Sequence, residues 1–263
     1  MKIEFYKYEG TGNDFVIIDN RDKKLKANNT ALWKKLCDRH FGIGADGLML
    51  LQDKKGYDFE MVYFNADGSE SSMCGNGGRC ITHFAKKLGI LKNKSASFLA
   101  IDGEHEAIFM NKHTVKLKMN DVKSISGDDK SFYTLNTGSP HYVTMVKDLL
   151  DIPVKEDGRA IRNSKPFKKE GINVNFVQVS SNKIPLLRTY ERGVEDETLS
   201  CGTGTVAAAL VLASQGLATA KDHCDIQAVG GKLRIWFTKK GSGFTNIWLE
   251  GPVKNVFKGK VSV

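Results

Sequence analysis

Alternating apolar and polar positions, the pattern of half-buried strands, recur along the whole chain. In the first half they predict strands near residues 3–9, 14–19, 57–65, 96–101, 104–110 and 114–119. In the second half they predict strands near residues 132–137, 141–146, 173–180, 185–191, 224–229, 232–238 and 245–250. Helical periodicity predicts helices near residues 30–40, 76–88 and 203–215. Many strands with few helices are typical of an α+β fold.

Two glycine-rich stretches resemble each other. "SSMCGNGGRC" and "TLSCGTGTVA" both place a cysteine directly before a predicted helix, and Cys74 lies 127 residues before Cys201. At nearly the same offset, "GTGNDFVII" near the N-terminus resembles "NTGSPHYVT" in the second half. We therefore expect an internal duplication.

The duplication predicts a domain of residues 1–122 that contains Cys74 and a domain of residues 123–263 that contains Cys201. Each should be a curved, mostly antiparallel sheet wrapped around one central helix, and the two domains should be pseudo-symmetric. The helix near 203–215 is apolar on nearly all sides, so it should be buried within its domain. A site for a small molecule is then expected where the two domains meet.

Composition narrows the function classes. No apolar run is long enough for a spanning helix and no leader peptide is evident, so a cytoplasmic protein without membrane contact is expected. The five cysteines should be reduced thiols, and their spacing predicts no metal site. The net charge of +9 comes from scattered lysines, which favours a solvated basic surface over a nucleic-acid site.

A cysteine before a helix has a chemical consequence. The unpaired amides and positive dipole end of a helix N-terminus stabilise a thiolate, and they can also hold a substrate carboxylate. Two such thiols on opposite sides of one carbon could invert it, since one removes a proton while the other delivers one. The structural alternative is that each Cys-Gly pair only packs tightly at a strand-to-helix turn.

Longer motifs along the whole chain resemble the diaminopimelate epimerases, members of the cofactor-independent amino-acid racemase group. The motifs are "GTGNDFVIID", "FGIGADG", "FNADGSESSMCGNGGRC", "GSPHYV", "NVNFVQV" and "YERGVEDETLSCGTGT". The resemblance implies a two-domain fold with the site between the halves. It also implies conversion of LL-diaminopimelate to the meso isomer for lysine and peptidoglycan precursors, with no pyridoxal phosphate or other cofactor. Relatives are commonly homodimers.

The resemblance also assigns roles to individual residues. Cys74 and Cys201 are expected to be the catalytic acid and base, with His141 and Glu191 tuning the two thiols. Expected substrate contacts are Asn13, Asn65, Gly75, Asn76, Asn173, Glu191, Arg192, Gly202 and Thr203. Arg192 suits the distal carboxylate, because a planar guanidinium binds carboxylates in bidentate fashion.

Two residues depart from a common form of the family pattern. Many relatives have glutamine where this chain has Gly47, and asparagine where it has Ser139. Both changes concern the distal end of the substrate. A water molecule or a neighbouring group could replace the side chain that Gly47 lacks.

Three other functions compete with this interpretation. A proline or hydroxyproline racemase-like enzyme would use a similar cysteine pair, but such enzymes typically have histidine where this chain has Asn76. Phenazine-biosynthesis-like isomerases share the fold without the cysteine pair. A non-enzymatic basic protein would bind nucleic acid or an acidic partner, with strong salt dependence.

Overall fold

The computed structural model describes residues 1–128, 131–181 and 183–263. The chain forms two compact units, one of Met1–Leu117 with Gly251–Val263 and one of Lys118–Glu250. The predicted boundaries of 1–122 and 123–263 differ from this division mainly at the C-terminus. The last strand pairs with the first strand of the chain, so the end of the chain packs with the first unit.

The first unit contains two helices among its strands. In chain order its elements are β1 (Lys2–Gly10), β2 (Asn13–Asp19), α1 (Thr30–Cys37), β3 (Gly47–Gln52), β4 (Phe59–Asn65), β5 (Glu70–Ser71), α2 (Gly75–Lys87), β6 (Ser95–Ala100), β7 (Gly103–Asn111) and β8 (Thr114–Lys118).

The second unit has the same plan. Its elements are β9 (Ser126–Asp128), β10 (Phe132–Asn136), β11 (Pro140–Val146), a 3₁₀ turn (Leu149–Asp151), α3 (Val154–Arg162), β12 (Asn173–Gln178), β13 (Leu186–Glu191), β14 (Asp196–Thr198), α4 (Gly202–Ser214), β15 (His223–Ala228), β16 (Gly231–Lys240) and β17 (Gly243–Pro252). The last strand, β18 (Lys254–Ser262), returns to pair with β1.

Strand pairing is the same within each unit. In the first, β1–β2 is antiparallel, β2–β3 parallel, β3–β4 antiparallel, β4–β6 parallel, and β6–β7–β8 antiparallel. In the second, the corresponding series is β10–β11, β11–β12, β12–β13, β13–β15 and β15–β16–β17, with the same directions. Two mostly antiparallel strand series with one topology confirm the predicted α+β fold and its pseudo-symmetry.

Helices α2 and α4 occupy the same position in the two units. α4 packs against β10, β11, β12, β13, β15 and β16, and α2 against β1, β2, β3 and β7. Every residue of α4 from Val206 to Leu212 is at most 1% exposed. The all-round apolar sequence of this helix is therefore explained by a sheet that surrounds it.

Some elements escaped prediction. β3 is a continuous buried run, "GLMLLQ", without the alternation that marks a strand, because α1 packs against Leu48 and Leu50 on one face and α2 packs against Met49 on the other. α3 is strongly polar and has Gly158 in its interior, where any Cβ would lie 2.4 Å from Tyr190 Cβ. Gly158 lowers the helix propensity of α3, but α3 packs so closely against β13 that a larger residue would not fit there.

Candidate active site

Cys74 lies directly before the first turn of α2. Its backbone is extended (φ −91°, ψ 131°), it occupies the N-cap position, and its carbonyl accepts the first helical bond from Gly78 N at 2.7 Å. The following residues, Gly75 and Asn76, therefore present the unpaired amides of the helix N-terminus. No acidic residue lies in this turn, so the dipole favours an anion beside the sulfur.

Cys201 has the same local structure in the second unit. It is the N-cap of α4 (φ −103°, ψ 112°), and its carbonyl accepts from Thr205 N at 2.9 Å. Gly202 and Thr203 form the first helical positions. The start of this helix was predicted within one residue in both units. In each sequence a cysteine with extended backbone is followed by a glycine-rich run, and the helix begins at that run.

A β-hairpin contacts the second helical residue in both units. In the first, Thr11 Oγ1 lies 3.5 Å from Asn76 Oδ1. In the second, Thr137 Oγ1 donates to the Thr203 carbonyl at 2.9 Å. The shared "TG" of the two sequence motifs thus has a structural reason, since it joins the first hairpin of each unit to its central helix.

Asn13 connects Cys74 to a charged cluster. Its Nδ2 donates to Asp46 Oδ2 at 2.7 Å, so its Oδ1 is turned toward the helix. That oxygen lies 3.5 Å from Cys74 Sγ and accepts from Asn76 Nδ2 at 3.3 Å. Asp46 is in turn paired with Arg39. The structure therefore brings together the predicted residues Asn13, Cys74, Gly75 and Asn76.

Asn65 lies at the same end of this sheet. It is paired with Gly47, and Gly47 is paired with Phe15 of β2, two residues beyond Asn13. Residues two apart on a strand share a face, so Asn13 and Asn65 project from the same side of the sheet. The Asn65 amide donates to Ser69 Oγ at 3.3 Å, which closes the turn after β4.

Tyr63 fills the space beside Gly47. A Cβ at residue 47 would lie 2.6 Å from Tyr63 Cε2 and 2.8 Å from its hydroxyl oxygen. Tyr63 and Asn65 are two residues apart on β4 and share a face, so the phenol lies on the Asn65 side of the sheet. The glycine at residue 47 is therefore matched by a tyrosine that takes the volume of the absent side chain.

In the second unit a buried chain of polar groups leads to Cys201. His141 Nε2 lies 2.9 Å from Ser139 Oγ, which lies 3.3 Å from Thr203 Oγ1. Thr203 Oγ1 is in turn 3.5 Å from Cys201 Sγ. His141 is thereby linked to the Cys201 thiol through Ser139 and Thr203.

Asn175 fixes the tautomer of His141. Its Nδ2 donates to the Tyr142 carbonyl at 2.9 Å, which orients the amide, and the same nitrogen lies 3.1 Å from His141 Nδ1. Nδ1 is thus an acceptor, and Nε2 carries the proton toward Ser139. Burial lowers the pKa of His141 to about 3, and the charge of Arg192 acts in the same direction. His141 is a neutral imidazole at physiological pH.

Asn173, Glu191 and Arg192 form the adjacent edge of the second unit. Asn173 Nδ2 donates to Ser139 Oγ at 3.2 Å, and its Oδ1 accepts from the Arg192 backbone amide at 2.9 Å. Arg192 Nη1 donates to the Glu170 carbonyl at 2.8 Å, and Glu191 Oε2 accepts from Thr198 Oγ1 at 3.0 Å. The predicted residues of this half therefore meet near the start of α4.

Three glycines of the two motifs serve packing. A Cβ at Gly77 would lie 3.3 Å from Met49 Sδ, one at Gly78 3.1 Å from Leu117 Cδ2, and one at Gly204 2.4 Å from Asn175 Oδ1. These three glycines face their own sheets, so close packing accounts for the absence of a side chain at each of them.

The other cysteines lie in the cores of their units. Cys37, Cys80 and Cys224 are buried, and burial raises the pKa of each, that of Cys37 to about 12.

Among the described residues, no group of three or more His, Cys, Asp or Glu side chains is arranged to hold a metal ion. No helix in the described part of the chain is long and apolar enough to cross a membrane.

The neutral His141 has a measurable consequence for stability. Its pKa falls from about 6.5 when unfolded to about 3 when folded. Only the unfolded chain takes up this proton between those values, so stability is complete above pH 6.5 and declines as the pH falls, by up to about 1.4 kcal/mol per unit. His141→Gln should flatten the dependence of the unfolding free energy on pH between 6.5 and 4.5, measured by urea titration.

The exposed His113 supplies the control, since His113→Gln should keep the wild-type slope. Burial also lowers the pKa of His83, so a part of the slope is expected to remain in His141→Gln. A His141→Gln slope equal to that of the wild type would show that the imidazole is protonated in the folded protein.

Sequence reasoning did not identify several polar residues beside the two cysteines. Asn175, Arg79 and Tyr63 are almost fully buried, and Thr11 and Thr137 link hairpin to helix. One signal was available: "NVNF" places two asparagines on one face of a strand that is otherwise apolar. Buried polar residues of this kind are retained for a specific contact.

Comparisons with known proteins identify the family. The family model described as diaminopimelate epimerase matches residues 5–125 and 133–256. A diaminopimelate epimerase of Flavobacterium psychrophilum is 50% identical over 97% of this chain and 99% of its own length. One of Aquifex aeolicus is 39% identical over 99% of this chain and 98% of its own length.

Solved structures show the fold at lower identity. A phenazine biosynthesis protein of the PhzF family from Bacillus anthracis matches all of both chains with a TM-score of 0.76 at 16% identity. A hydroxyproline epimerase from Agrobacterium vitis matches all of this chain and 93% of its own, with a TM-score of 0.66 at 12% identity. By its family model and its relatives in sequence, the chain belongs to the diaminopimelate epimerase family.

Proposed function

We propose that this protein is a diaminopimelate epimerase that interconverts LL- and meso-diaminopimelate without a cofactor. The observation that carries the proposal is the repeated N-cap cysteine, Cys74 on α2 and Cys201 on α4, in a chain of this family. Relatives that carry the name match nearly the full length of the chain.

The proposed reaction is proton exchange at one α-carbon. The thiolate of one cysteine removes the α-proton, and the thiol of the other gives its proton to the opposite face of the carbanion. The first cysteine ends as the thiol and the second as the thiolate, so the reverse reaction starts from the product state. The amides at Gly75 and Asn76 and at Gly202 and Thr203 would bind the reacting end and stabilise the negative charge that develops.

We propose Arg192, Asn173 and Asn65 as contacts for the distal end of the substrate, with Asn13, Asn76 and Glu191 nearer the reacting end. Asn173 is anchored to Ser139 and to the Arg192 backbone, which orients its amide. At Gly47, the hydroxyl of Tyr63 would replace the side chain found in many relatives, since it occupies the same space.

His141 and Glu191 are proposed to tune the thiols without transferring the substrate proton. A neutral His141 donates from Nε2 to Ser139, which frees the Ser139 hydroxyl proton for Thr203. Thr203 can then donate to a Cys201 thiolate or accept from the thiol, because its hydroxyl does both. In this chain Ser139 thus links His141 to Thr203, at a position where many relatives have asparagine.

The wider setting follows from the family alone. We propose a place in lysine and peptidoglycan precursor synthesis, a cytoplasmic location and a homodimer. No role for nucleic acid is proposed, since the basic residues do not form a stripe with interleaved aromatics.

The purified, reduced protein tests the proposal directly. Incubation with LL-diaminopimelate should produce the meso isomer, separated by chiral chromatography, whereas L-proline should remain unchanged. Racemised proline together with unaltered diaminopimelate would identify a proline racemase-like enzyme instead. If both substrates stayed unchanged while the protein was folded and its thiols titrated as free, the proposed function would be wrong.

A further inference from the structure

The turn between β13 and β14 contains a residue in an unfavourable backbone conformation. Glu195 has φ +58°, in the left-handed region that favours glycine. It lies six residues before Cys201, just as Gly68, with φ +88°, lies six residues before Cys74. The two units therefore have a left-handed residue at the same point of the duplication, and the second unit has a glutamate where the first has glycine. A side chain kept in this conformation indicates a specific role for that side chain.

The Glu195 carboxylate joins three parts of the second unit. Its Oε1 accepts from the Gly193 amide at 3.1 Å and from Arg162 Nε at 3.2 Å, and its Oε2 accepts from the Tyr190 hydroxyl at 2.8 Å. Arg162 is the last residue of α3, and Tyr190 lies on β13. Burial raises the pKa of Glu195, but these bonds lower it by more, so the pKa lies below its ordinary value. The group is therefore a carboxylate at neutral pH.

The same turn contains Arg192, the proposed contact for the distal carboxylate. The Glu195 amide donates to the Glu191 carbonyl at 2.8 Å, which closes the turn around Arg192. The Arg192 amide donates to Asn173 Oδ1 at 2.9 Å. Because Gly193 follows Arg192 directly, the bond from the Gly193 amide to the Glu195 carboxylate fixes the next peptide of the backbone. The Arg192 side chain thus projects from a backbone that is held at two successive residues.

Arg162 is a second cation near Arg192. A Cβ at Gly171 would lie 3.0 Å from Arg162 Cζ and 2.7 Å from Arg192 Cδ, so both side chains lie against this glycine. Arg162 is paired with Glu195, whereas Arg192 takes part in no ion pair among the residues that the structure describes. Glu195 therefore compensates the charge of Arg162 and leaves that of Arg192 for a substrate carboxylate.

We propose that Glu195 is a positioning residue that holds Arg192 in the orientation in which it binds the distal carboxylate of the substrate. The proposal rests on the proposed function, since it needs a substrate with a second carboxylate. Glu195 acts through the turn and through Arg162 rather than by touching the substrate, because its two oxygens already accept three hydrogen bonds.

Steady-state kinetics with LL-diaminopimelate test the proposal. Glu195→Gly removes the carboxylate and suits the left-handed backbone, so any loss comes from the missing bonds. It should raise KM about tenfold. It should change kcat much less, because the Glu191 carboxylate is held separately by Thr198. Glu195→Gln keeps the length and one acceptor oxygen without the charge, so it should raise KM by a smaller factor and tests the same point if Glu195→Gly does not fold.

Dependence on Arg192 separates positioning from general stabilisation. In an Arg192→Leu background, Glu195→Gly or Glu195→Gln should change KM less than about twofold, since both changes then remove the same interaction. Asp196→Asn is the matched control: it removes the exposed ion pair with Lys155 in the same turn and should leave KM unchanged. An unchanged KM in folded Glu195→Gly, or an equal rise in KM with and without Arg192, would overturn the proposal.

Hydrogen exchange tests the turn without substrate. In Glu195→Gly the amides of residues 192–195 should exchange faster than in the wild type, measured by peptide mass spectrometry, while those of residues 66–69 in the equivalent turn should not change. Unaltered exchange at residues 192–195 would also overturn the proposal. A wild type that did not convert diaminopimelate would contradict the proposed function, whereas an active wild type with an unchanged KM in Glu195→Gly would contradict this inference alone.

Discussion

Cys74→Ala and Cys201→Ala are each expected to lower the rate of epimerisation of LL-diaminopimelate by about a thousandfold or more. In the proposed mechanism, each variant retains only one of the two groups that act on opposite faces of the carbon, so the proton can be removed or delivered but not both. Both N-cap positions tolerate alanine, because neither cysteine side chain makes a capping bond to its helix. The rate is measured by chiral separation of the isomers.

Cys224→Ala is the matched control. Cys224 is a fully buried cysteine of the second unit that lies in β15, away from the start of α4. Its replacement removes one buried sulfur, so it should lower stability slightly and leave turnover near the wild-type value. Near-normal turnover in either Cys74→Ala or Cys201→Ala would show that the reaction does not need two thiols.

Arg192→Leu should have the second-largest effect, a rise in KM of about a hundredfold for loss of a charge-assisted bond worth about 3 kcal/mol. The Glu170 carbonyl accepts from Arg192 Nη1, and Arg192 Cδ lies beside Gly171; in the proposed binding mode the other guanidinium nitrogens donate to the distal carboxylate. Gly171 has φ +72°, a left-handed backbone conformation that favours glycine, and a Cβ there would also lie 2.7 Å from Arg192 Cδ.

Two further variants separate charge from geometry. Arg192→Lys keeps the charge and loses the bidentate fork, so its KM should lie between those of the wild type and Arg192→Leu. Arg21→Ala breaks an exposed ion pair with Asp19 and should leave KM unchanged. An unaltered KM in Arg192→Leu would remove this residue from the substrate contacts.

Local rules predicted the parts of the fold that repeat along the sequence. The helix starts at Gly75 and Gly202 followed from a cysteine and a glycine run, and the strands with clear alternation were found near their observed positions. β3 and α3 were missed for opposite reasons, since one is too uniformly apolar and the other too polar for its period to show. In both cases tertiary packing overrides the local pattern.

The candidate site was predictable as a set of residues but not as a network. The motifs suggested Cys74, Cys201, His141 and Arg192 as site residues, yet no motif showed the hydrogen-bonded chain from His141 through Ser139 and Thr203 to Cys201. The close approach of the Tyr63 ring to Gly47 depends on the register of β3 against β4, which a single sequence does not specify. Buried polar contacts of this kind become visible only once strands are placed side by side.

The central claim is that Cys74 and Cys201 exchange protons with one α-carbon from opposite faces. It is tested by the fate of deuterium when LL-diaminopimelate is converted in deuterated water and sampled at low conversion. Two bases predict meso product that carries one solvent deuterium at the inverted carbon, while the remaining LL substrate is still unlabelled. Meso product that retained the substrate proton, or LL substrate that gained deuterium as fast as the product formed, would contradict it.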